Sequence, residues 1–128
     1  MYNQSSRAIY LQIVDRIFDM ILAGEYAEGG RVPSVREIAA TLEVNANTAM
    51  RAYDTLTTLG VIHTERGKGF FVSPGARDKV ISARRDELNR QVLPSIFRQL
   101  SLLSVTPADL ADAFSTFLNN TNDTNITQ

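Results

Sequence analysis

Apolar residues along this chain fall into helical spacing in five places and into short strand-like runs in one. Ile9, Ile13, Val14, Ile17, Phe18, Ile21 and Leu22 recur three and four apart, which puts them on one face of a helix, and Gly24 supplies a stop. A first helix is expected from about Ser6 to Ala23, with that face turned into a core. Ala27-Glu-Gly-Gly-Arg31 reads as a loop.

Pro33-Ser34 opens a second helix. Ser34 and Glu37 have the S-x-x-E spacing of a capping box, and Val35, Ile38, Ala39 and Leu42 make its apolar face. The chain turns at Glu43-Val44, and Asn45 is a good N-cap for a third helix that Gly60 ends. On it Ala49, Ala52, Tyr53, Leu56 and Leu59 share one side. Asn47, Met50, Arg51 and Asp54 point the other way. Val61 to Glu65 and Phe70 to Val72 then read as two strands, joined by the glycine-rich turn Arg66-Gly-Lys-Gly69. A strand pair this short needs the helices beneath it.

Ser73-Pro-Gly-Ala marks a boundary. Beyond it Ile81, Leu88, Val92, Ile96, Leu100 and Leu103 form a stripe, widened by Leu93 and Phe97, that predicts a fourth helix over about 77–103. Pro94 predicts a kink or a break in it. Thr106-Pro107 is an N-cap followed by proline at the first helical position. A short last helix carries Leu110, Ala111, Phe114, Phe117 and Leu118, and the polar tail over 120–128 is expected to be disordered.

The fold class is therefore mainly α with a small β-hairpin: a winged helix-turn-helix over 7–75, then a helical segment over 76–119. Helix, turn, helix and basic ribbon is the layout that presents one helix to the DNA major groove and a wing to the neighbouring backbone. Double-stranded DNA is the partner that this layout predicts. Charge is less direct. The formal net charge is −1, which argues against strong non-specific binding, because that rests on phosphate neutralisation. The local distribution matters more: Arg31, Arg36, Arg51, Arg66 and Lys68 fall in or beside the motif.

Other chemistries find little support. There are 128 residues, room for one ordinary domain and an appendage, and no cysteine, which excludes disulfides and thiolate metal sites. No apolar run suggests a membrane span or a signal peptide, so a cytoplasmic location is expected. His63 is the only histidine, and a half-exposed strand position is its simplest reading. No catalytic set, cofactor motif or metal site is recognisable.

Arg51 is the strongest candidate contact. In isolation it reads as a solvated arginine; in the second turn of the third helix, ahead of a wing, it reads as a guanine or phosphate contact. Asn47 and Thr48 have hydrogen-bonding side chains for a base edge or a phosphate, and local capping is their plain alternative. Met50 is suited to a thymine methyl or to packing. Arg36, the third residue of the segment that Ser34 opens, is placed for a phosphate, aided by the positive helix end, or for a salt bridge. Ser34 is a cap first and a phosphate contact second. Arg66, Lys68 and Gly69 make a turn suited to phosphate or the minor groove, and equally to any exposed hairpin.

These residues resemble the GntR family of bacterial transcription regulators. The family pattern Y-x-Q-I appears as Tyr10-Leu-Gln-Ile13. Its G-x-x-L-P-S-x-R-x-L-A appears as Gly30-Arg-Val-Pro-Ser-Val-Arg-Glu-Ile-Ala39, and its wing G-x-G-x-F-V as Gly67-Lys-Gly-Phe-Phe-Val72. Asn45-Ala-Asn-Thr-Ala-Met-Arg-Ala-Tyr53 is similar to the recognition helix of the YtrA-like branch. The match covers about residues 7 to 73. Two departures stand out. Many members carry arginine where Ala46 and Met50 stand here, which moves the weight onto Asn47, Thr48 and Arg51. Most also carry a large effector domain, whereas about 50 residues remain here, as in the YtrA-like branch; the aminotransferase-fused branch is excluded by length. The resemblance implies control of transporter genes, commonly including the regulator's own operon.

The expectation is a homodimeric repressor on an inverted-repeat operator. Leu88, Val92, Ile96, Leu100, Leu103, Phe114 and Phe117 are the expected dimerisation residues, because a segment of about 40 residues rarely supports a core of its own. A protein-interaction module without DNA contact is the alternative, and a regulator with an unknown small-molecule effector between its C-terminal helices is a third.

Overall fold

The computed structural model describes residues 7–126, with side chains described for 7–122. The elements are α1 (Ile9–Leu22), α2 (Val35–Leu42), α3 (Ala46–Thr58), β1 (Ile62–Glu65), β2 (Gly69–Val72), α4 (Ala76–Glu87), α5 (Leu93–Leu102) and α6 (Pro107–Ile126). A five-residue π turn, Leu88–Val92, lies between α4 and α5. The chain divides into two units, one through Glu87 and one from Leu88 onward.

In the first unit the apolar face of α1 packs on α3, and α3 on α2. Ile17, Tyr53, Leu56, Val61, Ile62 and Val72 are essentially inaccessible. Each helix start has a local cause. Ser34 Oγ accepts the Glu37 N–H at 3.1 Å and starts α2. The reciprocal half of the expected capping box is replaced, because the Glu37 carboxylate lies 3.6 Å from Arg31. Asn45 Oδ1 accepts the Asn47 N–H at 2.7 Å and starts α3. Between them Glu43 sits at φ 55°, and the Val44 N–H reaches the Ala39 carbonyl at 3.0 Å. That left-handed residue closes the helix-turn-helix.

Tyr53 ties the unit together. Its buried hydroxyl donates to the Pro33 carbonyl at 2.6 Å, and its ring meets Phe70 edge-on at 5.0 Å between centroids. Burial pushes its phenol well above the ordinary tyrosine range, and the neighbouring Tyr26 and Glu37 add to this.

β1 and β2 pair antiparallel from Ile62 opposite Val72 to Glu65 opposite Gly69. The Lys68 N–H reaches the Glu65 carbonyl at 2.9 Å across Gly67, whose φ of 74° suits glycine. The segment expected as a plain loop does more. The Gly29 N–H donates to the Val72 carbonyl at 2.8 Å and the Val32 N–H to the Phe70 carbonyl at 3.0 Å, with Arg31 bridged to Phe71. These bonds cover the outer edge of β2.

The boundary expected near residue 75 falls instead after Glu87. Ala76 and Val80 on α4 are fully buried in the first unit's core, which a helix pattern read from Ile81 onward does not reveal. Arg84 pairs with Asp19 at 2.6 Å and donates to the Asp15 carbonyl at 3.1 Å. Arg7 pairs with both Asp15 and Glu87. α4 is thereby clamped to α1.

The single helix expected over 77–103 is interrupted, and not at Pro94 itself. The wide turn precedes it, which leaves Pro94 in the first turn of α5, where its missing N–H costs no helical bond. α6 starts with a reciprocal cap: the Asp109 N–H donates to Thr106 Oγ and the Thr106 N–H to the Asp109 carboxylate, both at 3.1 Å. The Thr106 backbone N–H, and after it the Thr106 side chain, hold the fully exposed Asp109 carboxyl below its usual range. α6 corrects the expected short helix and disordered tail, since it continues to Ile126. Asparagine and threonine lower helix propensity by well under about 1 kcal/mol each, too little to end a capped helix. Residues 127–128 lie outside the described residues. No described helix is long and apolar enough to cross a membrane.

Candidate nucleic-acid interface

α3 has one buried side and one open side. Ala49, Ala52, Tyr53 and Leu56 face the core, while Asn47, Met50, Arg51 and Asp54 are exposed and Thr48 is half-buried. The opposition follows from helix periodicity: seven residues span two turns, so the packed positions leave a full face for a ligand. This is the geometry of a helix offered to a groove.

Further cations are carried by other elements of the same unit. Arg36 is exposed in the first turn of α2, where free N–H groups and the helix dipole favour an anion. Ser34 is half-buried and spends one lone pair on its cap, which leaves its O–H free to donate. Arg66 and Lys68 are exposed on either side of Gly67 at the wing tip. Gly69, at φ 107°, begins β2 opposite Glu65, next to the wing tip.

Arg31 is the cation to which the sequence assigned no role. A Cβ on Gly69 would approach Arg31 Nε to 3.4 Å, and Arg31 also lies beside Glu37 in α2. It therefore connects the start of β2 to the first turn of α2. The signal was its place in an edge segment whose neighbour Val32 is buried, which a glycine-rich stretch obscures.

Arg51 is less solitary than its helix face implies. Its guanidinium carbon sits 3.9 Å from the centroid of the Tyr10 ring on α1. Among the described residues no hydrogen-bond acceptor or carboxylate takes its N–H groups. His63 has a structural setting: Nδ1 lies 2.9 Å from Ser73 Oγ, and the ring stacks on Phe71. Among the described residues no cluster of acidic or histidine side chains is arranged to hold a metal ion.

The expected dimerisation residues belong to the second unit. Phe114 is 60% exposed, Phe117 62% and Leu103 74%, with Leu88 also exposed. Val92, Ile96 and Leu100 are half-buried. Phe97, Leu100, Val105, Pro107 and Leu110 line an open groove of about 380 Å³ between α5 and α6.

Comparison with known proteins agrees with this geometry. The family described as bacterial regulatory proteins, gntR family, matches residues 9–72. The HTH-type transcriptional regulator YhcF of Bacillus subtilis is 38% identical, over 89% of this chain and 93% of YhcF. The HTH-type transcriptional repressor YtrA of the same organism is 34% identical, over 70% of this chain and 68% of YtrA. The crystal structure of a GntR-family transcriptional regulator from Bacteroides thetaiotaomicron superposes with a TM-score of 0.79 at 44% identity, covering 89% of this chain and 99% of that one. These relatives are regulators and not enzymes. With a matching family model and a relative similar along nearly its whole length, the chain belongs to the GntR family of DNA-binding helix-turn-helix transcription regulators.

Proposed function

We propose that this regulator is a cytoplasmic homodimeric repressor that reads an inverted-repeat operator. The observation that carries the reading is the open face of α3, with Asn47, Met50 and Arg51 exposed opposite a fully packed side. Asn47 and Arg51 contact base edges in the major groove, Met50 lies against a thymine methyl, and Thr48 holds a phosphate. Ser34, Arg36, Arg66, Lys68 and the Gly69 backbone fix the duplex through its phosphates. Repression is supported by YtrA, which is named as a repressor. Dimerisation is supported by the exposed apolar residues of α5 and α6, since a two-fold pair presents two α3 helices to half-sites about 10 base pairs apart or a multiple of that.

Competition binding of the full chain tests this. The probe is the duplex recovered by crosslinking and sequencing, set against a scrambled duplex at several salt concentrations. Arg51→Ala loses about 1–3 kcal/mol of preference for the recovered sequence. Arg36→Ala weakens binding to both duplexes and flattens the salt dependence by about one charge. Unchanged preference in Arg51→Ala overturns the assignment of α3.

A further inference from the structure

Arg51 is placed by a residue of another helix. Tyr10 stands near the start of α1, half-buried and packed against the core. Its ring is thus held from below by the same stripe that buries Ile13, Val14 and Ile17. The Arg51 guanidinium carbon lies over this ring at 3.9 Å from the centroid, well inside cation–π range. The contact neutralises no charge and consumes no N–H donor, because a π face attracts the cation without accepting a hydrogen bond along the guanidinium edge. The exposed stem of an arginine otherwise samples many rotamers, and ordering them opposes binding.

We infer that Tyr10 is a positioning residue for DNA recognition: its ring holds the Arg51 guanidinium over α3 with its hydrogen-bonding edge open. The inference rests on the reading of Arg51 as a base-contacting side chain. It separates two tasks within one contact. Arg51 supplies the donors, and Tyr10 supplies the direction in which they point. Loss of the ring leaves the charge in place, so attraction to phosphate persists while discrimination falls.

A double-mutant cycle on the full-length chain tests this, with the crosslink-recovered duplex and its scrambled counterpart as probes. Tyr10→Leu lowers the preference for the recovered duplex about three- to ten-fold, the range that a cation–π contact supports, and leaves the salt slope unchanged. Tyr10→Phe retains the ring and rescues the preference. In an Arg51→Ala background Tyr10→Leu has no further effect, an outcome that a general loss of folding does not produce. Equal losses from Tyr10→Leu in both backgrounds overturn the inference, as does tighter binding by Tyr10→Leu. If Arg51→Ala is damaging while Tyr10→Leu is neutral, the positioning role alone fails. If Arg51→Ala is itself neutral, the reading beneath it fails.

Discussion

Through Glu87 most large apolar side chains meet one another in a core, whereas from Leu88 onward many face outward. Tyr53, Leu56 and Val61 are completely inaccessible, while Leu102 is 85% exposed and Phe114 and Phe117 more than half exposed. Among the described residues of the second unit none is buried. Both regions obey the same helical periodicity, so the periodicity alone does not tell a finished core from a surface that awaits a partner. What distinguishes them is the number of elements that close on each stripe. In the first unit three helices, a hairpin and α4 converge; α5 and α6 are two helices, too few to enclose an interior. Large exposed apolar patches on a single chain mark interaction surfaces.

The comparison is sharpened most by truncation of the finished core. Leu56→Ala removes a fully buried side chain from the last turn of α3, and a cost of about 2–5 kcal/mol is expected. Urea unfolding followed by far-UV circular dichroism measures it. A loss below about 1 kcal/mol would mean that the first unit is far less tightly packed than its burial indicates.

The next largest effect lies in the open region. Phe114→Ser with Phe117→Ser leaves the first unit's folding unchanged and weakens the proposed dimer, by about ten-fold or more for each aromatic anchor removed. Sedimentation equilibrium reads the change directly. Specific DNA binding falls with it, because one α3 then engages one half-site at a time. A double variant that remains as dimeric as the wild type removes α6 from the interface.

Much of the DNA-facing unit was legible in the sequence because its signals are local. Ser34 and Asn45 cap the helices that they were expected to cap, and the wing turn follows its glycines. The opposition of Arg51 to Ala52 and Tyr53 follows from helical spacing. The less legible features depend on contacts distant in sequence. The Arg84–Asp19 pair that binds α4 to α1 spans most of the first unit, and the stack of Arg51 on Tyr10 joins two helices separated by a third. Neither leaves a periodic trace. The interruption before Pro94 was legible as an event but not in place, since a proline tolerates the first turn of a helix and moves the break upstream. The length of α6 is hidden by its polar composition, although the Thr106–Asp109 cap at its start is local in sequence.

The smallest expected effect concerns pH, where the two regions have opposite liabilities. In the first unit the Tyr53 phenol is raised by burial, and by Tyr26 and Glu37 after it. A raised pKa means that the folded state holds its proton more tightly than the unfolded chain. The associated stability is complete below the ordinary tyrosine value of 10.0 and is lost as pH climbs beyond it. In α6 the Asp109 carboxyl is lowered by the Thr106 backbone N–H and then by the Thr106 side chain. Its contribution is present above the ordinary carboxylate range and is lost as pH falls through its depressed value. Alkali above about pH 10 therefore loosens the first unit, and Tyr53→Phe removes that sensitivity at the cost of the bond to Pro33, about 1 kcal/mol. Acid below about pH 4 frees the start of α6. The Thr106 amide shift, followed by NMR across that range, reports the loss of its acceptor; in Asp109→Asn the acid-dependent step disappears. A Thr106 amide that ignores acid in the wild type would mean that the cap does not hold α6, and that its first turn depends on packing instead.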